Sequence, residues 1–146
     1  MAKMSAEVLR TIWKELTHAS HFDRVMNGVK IVSAGGGNVV AEMSVTEADT
    51  NRGGTLHGGL TSTIVDSVST VGLMTTGPNL PGVSVDLSVS FLKAAKIGDI
   101  ISIESETVKV GGSLAFLRVV LKNKQTGDVI ALGSHTKFLV SPKNKL

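Results

Sequence analysis

The chain of 146 residues contains no cysteine and no tyrosine. Without cysteine it has no disulfide, no thiolate metal site and no thiol nucleophile, and a reducing compartment is compatible with that usage. Aromatic residues make up only 3%, so the core has to be built from Val, Ile, Leu, Met and Ala. The absence of tyrosine, of an Arg-rich helix and of basic–aromatic interleaving argues against nucleic acid as a partner. Three prolines against 16 glycines leave most turns to glycine. Long hydrophobic runs are missing too. Met1 to Leu16 lacks the continuous apolar stretch of a signal peptide. Residues 57–76 are long enough to span a bilayer, but they are rich in Ser, Thr and Gly and contain Asp66, so no membrane span is expected.

The last absence is the most informative. Between Gly53 and Val85 the only formal charge is Asp66. A helix facing water normally carries Lys, Glu or Arg on its outer side. This segment has no such side, so it is expected to be covered all round, and a lone carboxylate there is costly unless paired or used.

What is present describes one domain over 1–146. Hydrophobic residues are 42% and charged residues 18%, enough apolar content for a real core. The net charge of +3 suits a polyanionic ligand, although most basic residues are scattered. Val8, Leu9, Ile12, Trp13 and Leu16 recur at three- and four-residue spacing, which predicts an amphipathic helix within 1–22. Glu7 and Glu15 on its polar side argue against a typical mitochondrial transit peptide. Val29–Ser33 and Val39–Val45 read as strands around a Gly-rich turn, and Glu47 to Gly54 reads as a loop. The charge-poor helix is predicted from Leu56 to Thr76, stopped by Gly77-Pro78. Four strand-like runs follow: Val83–Phe91, Ile101–Val110, Leu114–Leu121 and Val129–Val140, with a hairpin signal at Gly111-Gly112. Residues 141–146 read as a flexible basic tail. The order predicts an α+β fold: an antiparallel sheet of five to six strands across a long central helix, plus an N-terminal helix. So small a sheet cannot enclose the helix, so its other side is expected to meet a second copy of the chain.

On a helical wheel Leu60, Ile64, Val68 and Val71 form one stripe, and Asp66 falls nearly opposite, among Gly59, Ser62, Thr63, Ser69 and Thr70. Two readings stand: a packing face with a Ser-paired Asp, or a functional carboxylate. The helix start, Thr55-Leu56-His57-Gly58-Gly59, offers free N–H groups and a positive dipole end able to hold a developing oxyanion. His57 alone reads as readily as a hydrogen-bonded structural imidazole. Gly58 and Asp66 are eight positions apart, ~12 Å along the axis, so one carbonyl cannot reach both on the same helix. If both act on one bond, they come from different chains.

Taken together, Asn51, His57-Gly58-Gly59, Asp66, the strand Gly82-Val83-Ser84-Val85-Asp86 and Gly111-Gly112-Ser113 resemble the hotdog-fold thioesterases over nearly the whole chain. The resemblance implies the hotdog fold and hydrolysis of medium- to long-chain fatty acyl-CoA to fatty acid and CoA, with no cofactor and no metal. It implies a homotetramer built as a dimer of dimers, a phosphatidylcholine-transfer protein as a partner, and a cytoplasmic or mitochondrial setting. It assigns Gly58, near Asn51 and His57, to polarising the thioester carbonyl, Asp66 of the neighbouring subunit to activating water, and Ser84 to positioning that water or Asp66. The substrate- and CoA-binding set expected with it comprises Ser84, Asp86, Phe91, Lys93 and Lys96, together with Lys109, Gly111, Gly112, Ser113 and Lys137. Lys93, Lys96 and Lys109 are expected at strand ends near Gly111-Gly112, and the acyl tail between Val-, Leu- and Met-lined helices. Arg52-Gly53 beside Asn51 departs from the family pattern at the pocket mouth. Two other readings remain open: a hydratase or dehydratase of acyl thioesters with His57 as base, and a non-catalytic acyl-CoA-binding or lipid-partner protein.

Overall fold

The computed structural model describes residues 4–141; all but the first residue of the expected tail over 141–146 lies outside them. The chain runs α1 (Ala6–His18), β1 (Lys30–Gly35), β2 (Asn38–Ser44), α2 (Gly58–Met74), β3 (Val83–Phe91), β4 (Ile100–Val110), β5 (Leu114–Asn123) and β6 (Val129–Phe138). There are two short 3₁₀ segments, Phe22–Met26 and Glu47–Asp49, the second within the expected loop. All six strands join one antiparallel sheet in the order β1-β2-β4-β5-β6-β3. α2 lies against one face of it, touching β2 through β6. This is the hotdog arrangement. No helix among the described residues is long and apolar enough to cross a membrane.

The core sits between α2 and the sheet. Ile64, Val65 and Val68 are fully buried against Val39, Ile101, Ile103, Val119 and Leu121. Each such aliphatic side chain contributes ~1.5–3 kcal/mol by leaving water. Gly133 on β6 sets the distance of approach: a Cβ there would lie 2.5 Å from Cγ1 of Val65. Any larger residue at that point would push the helix off the sheet and open the site described below.

α1 starts at the Ser5 N-cap, whose side chain accepts from the Val8 N–H, and buries Leu9, Trp13 and Thr17. Trp13 Nε1 donates to the Val29 carbonyl at 2.8 Å. Arg10 donates through Nε to the Ile31 carbonyl at 3.1 Å and through its guanidinium to Val32. One edge of the sheet, β1, is thereby engaged by α1. The other edge, β3, is open: Val83, Val85, Leu87 and Phe91 are all exposed.

The alternation along β3 breaks once. Ser84 pairs with Lys137 and Leu87 with His135, with a bulge between Ser84 and Asp86. Three residues apart on a regular strand, Ser84 and Leu87 would face opposite sides of the sheet. The extra residue turns Ser84 toward α2. It leaves Asp86 opposite Thr136, in register with the outer face.

Candidate active site

The start of α2 is fixed by the loop before it. Asp49 caps its own 3₁₀ turn, its carboxylate accepting from Thr46 N–H and Oγ1 at 2.8 Å each, while its carbonyl accepts from the His57 N–H at 2.8 Å. Asn51 holds the next turn: Oδ1 accepts from the N–H of Gly53 (2.9 Å) and of Thr55 (3.2 Å), and Nδ2 donates to Thr55 Oγ1 at 3.0 Å. His57 is the N-cap, its Nδ1 accepting from the Gly59 N–H at 2.9 Å. The neutral ring then carries its proton on Nε2 and offers a donor rather than a base. The Gly58 N–H, by contrast, donates to no group among the described residues. It opens into a cavity of about 400 Å³ lined by Asn51, Gly58, Thr61, Phe91, Lys93 and Ile130, among others. The Phe91 ring closes over Gly58; a Cβ there would meet it at 3.4 Å.

Asp66 lies two turns further on, beside residues of β6 and β3. Its carboxylate is 3.7 Å from His135 Nε2 and its side chain is 46% exposed in the single chain. His135 is buried and bridges two hydroxyls: Nδ1 to Ser69 Oγ at 2.8 Å and Nε2 to Ser84 Oγ at 2.7 Å. Ser69 already gives its proton to the Val65 carbonyl at 2.6 Å, so it accepts from Nδ1–H. Nε2 is therefore the acceptor, and Ser84 donates to it. Ser84 and Asp66 thus meet at one atom, His135 Nε2, which lies 2.7 Å from Ser84 Oγ and 3.7 Å from Asp66 Oδ1. Ser69 is buried between α2 and the sheet, and like Asp66 beside it on the helix it meets His135.

Burial lowers the pKa of His135, and the neighbouring Lys137 charge lowers it further, against the opposing pull of Asp66 and Asp86. The imidazole is neutral at pH 7. With its folded value below the unfolded value of 6.5, the unfolded chain takes up the proton first on acidification. Stability present above pH 6.5 is therefore expected to fall as the pH drops below it. Urea midpoints at pH 7.5 and 5.5 check this: the shift is larger in the wild type than in His135→Gln.

A second cavity, of about 360 Å³, opens on Asp66 between α1 and α2, with Lys137 and Thr70 on one side and Ile12, Leu16 and Met74 on the other. The remaining expected site residues divide between the two ends of the sheet. Lys93 lies at the Gly58 end, where its Nζ pairs with Asp128 at 2.6 Å and holds that carboxyl below its usual range. Lys96 is at the same end, bridged to Thr55. Gly111, Gly112 and Ser113 form the β4–β5 turn at the opposite end, with Lys109 opposite Phe116. The expected grouping of Lys93 and Lys96 with Gly111-Gly112 fails within one chain. From Ala131, beside Phe91, to Phe138, beside Leu114, β6 separates them by roughly 23 Å at strand rise. Lys137 is likewise not with Lys93: it is only 4% exposed and sits at Asp66.

The thioesterase superfamily profile matches residues 53–130, which hold both Gly58 and Asp66. The chain belongs to the thioesterase superfamily. It is 48% identical to acyl-coenzyme A thioesterase 13 of Homo sapiens over 131 residues, 90% of this chain and 94% of that protein. The zebra fish thioesterase superfamily member 2 structure superposes with a TM-score of 0.92 at 45% identity, covering 94% of this chain and 99% of that one. A hypothetical thioesterase protein of Streptococcus pneumoniae TIGR4, solved with coenzyme A, superposes with a TM-score of 0.73 at 28% identity, over 77% of this chain and 86% of that one. In this thioesterase the sequence reading missed His135 and Asp49. The available signal for His135 was its strand: Gly133, His135 and Lys137 take the alternate positions after the buried Ala131, an inward row that turns polar.

Proposed function

We propose that this thioesterase hydrolyses medium- to long-chain fatty acyl-CoA, at a site shared between two copies of the chain. The observation that carries the reading is the Gly58 N–H at the N-terminus of α2, which has no acceptor among the described residues, in a residue that lines a cavity with Asn51. Such a donor, backed by the helix dipole, stabilises the oxyanion that forms when water attacks a thioester carbonyl. Asp66 takes a proton from that water. The Ser84 lone pairs, aimed by the His135 bond, accept its other hydrogen and turn its oxygen toward the carbonyl carbon. The C–S bond breaks, and the proton passes to the CoA thiolate.

Asp66 is too far along α2 to serve the Gly58 of its own chain. The open β3 edge supports the remedy. A nine-residue edge that exposes Val83, Val85, Leu87 and Phe91 is a surface for strand pairing, and pairing two β3 strands about a two-fold axis sets the α2 helices antiparallel. Each Gly58 then meets the other chain's Asp66, and each β4–β5 turn comes to the other chain's Gly58 end, where CoA is to be held. The acyl tail lies against Ile12, Leu16 and Met74. His57, with Nδ1 occupied, speaks for hydrolysis over hydration. The test is thiol release from saturated C8 to C16 acyl-CoA by the full chain. Turnover of these substrates supports the reading. Turnover of enoyl thioesters alone, or acyl-CoA binding without turnover, overturns it.

A further inference from the structure

Lys137 is a buried amine for which the reaction above has no use. Its side chain is 4% exposed, covered by Gly82, whose missing Cβ would lie 3.2 Å from Cβ of Lys137. The only hydrogen bond of its amine among the described residues runs from Nζ to Thr70 Oγ1 at 2.5 Å, and no described carboxylate lies within ion-pair distance of it. Thr70 in turn donates to the Asp66 carbonyl at 2.7 Å. Lys137 and Asp66 line the same cavity. The other groups around Asp66 are few. β6 adds the neutral His135; β3 adds Asp86, on the outer register; α2 has no further charge; and α1 contributes only Ile12, Trp13 and Leu16 to the cavity. A buried ammonium needs a counter-charge, and Asp66 is the one on offer. Hydrolysis then creates a second carboxylate next to the first, because the carbonyl carbon that water attacked becomes the carboxyl group of the fatty acid, which loses its O–H proton.

Resting on the hydrolase reading, we propose that Lys137 is a positioning residue whose ammonium balances Asp66 and then the product carboxylate formed beside it. The charge is needed twice: to keep the water-activating carboxylate anchored on its side of the cavity, and to offset the repulsion between two anions at product formation. Burial lowers the pKa of Lys137 below its ordinary 10.5, and the Asp66 charge opposes that shift. The charge is therefore lost at a lower pH than for a solvated lysine.

The experiment measures kcat, KM and inhibition by free fatty acid for palmitoyl-CoA hydrolysis by the full chain between pH 6 and 10.5. It compares wild type, Lys137→Met and Lys137→Arg, with folding checked by urea unfolding. The wild-type kcat is expected to decline on the alkaline side below pH 10.5. Lys137→Arg, which cannot deprotonate in this range, is expected to lose that decline. Lys137→Met is expected to lower kcat on the order of tenfold to a hundredfold, with KM nearly unchanged and fatty acid inhibition weakened. A wild-type decline that persists in Lys137→Arg overturns the assignment, whether or not Lys137→Met folds; so does a fully active Lys137→Met with unaltered product inhibition. A wild type silent on acyl-CoA overturns the hydrolase reading, and this assignment with it.

Discussion

Asp66→Ala is expected to lower kcat for acyl-CoA hydrolysis by about 10²–10⁴-fold, the range for removing a positioned general base, while KM changes little. Asp66 is half-exposed in the single chain; among the described residues its carboxylate accepts no short hydrogen bond, and the nearest basic atom, His135 Nε2, is 3.7 Å away. Truncation leaves the apolar core intact; it removes the chemistry and the counter-charge of Lys137. Asp66→Asn keeps the shape and is expected to lose as much, because an amide cannot take a proton from water. Thiol release with each variant checks this; an undiminished rate in either one removes Asp66 from the mechanism. Ser84→Ala is the informative contrast. It removes the hydroxyl that receives the water's second hydrogen but leaves the base, so its loss is the smaller.

The parts of this site that were legible in the sequence are those that local rules express. Apolar periodicity locates α1, α2 and the strands, because burial on one face writes a period of 3.6 or 2 into the chain. The lack of charge over residues 53–85 singles out Asp66, because solvated helices advertise themselves with Lys and Glu. The rise per residue separates Gly58 from Asp66 before any coordinates exist. What stayed hidden is non-local. β3 follows α2 in the chain but pairs with β6 at the far edge, and no local pattern records a strand's partner. The bulge between Ser84 and Asp86 reads in sequence as unbroken alternation of Val, Leu and Phe with Ser and Asp, yet it is what turns Ser84 toward His135. Lys137, among the expected CoA contacts, sits instead beside Asp66, because the β6 register puts it on the helix-facing row with Gly133 and His135. Asp49, inside a stretch that reads as a polar loop, is the clamp holding His57 at the start of α2.

Mixing Asn51→Ala, which loosens the turn that leads into the Gly58 donor, with Asp66→Ala is expected to restore activity that each variant has lost. In a two-fold dimer each site takes Asn51 and Gly58 from one chain and Asp66 from the other. A homodimer of either variant has both sites damaged. In the hybrid the two lesions fall into one site, and the other site receives an intact Asn51 from one chain and an intact Asp66 from its neighbour. After unfolding and refolding together at equal concentration, half the dimers are hybrids with one working site of two, so about one quarter of wild-type activity is expected. The side chains involved make the comparison clean. Asn51 is exposed and bonds only within its own loop, and Asp66 is half-exposed, so neither truncation opens the core. Recovery requires no new contact, only the exchange of subunits. If the refolded mixture stays at the level of the separate variants while cross-linking or light scattering shows hybrid dimers present, the site lies within one chain. The ~12 Å between Gly58 and Asp66 along α2 would then have to be bridged by a movement of the helix start, which the Asp49 and Asn51 bonds oppose.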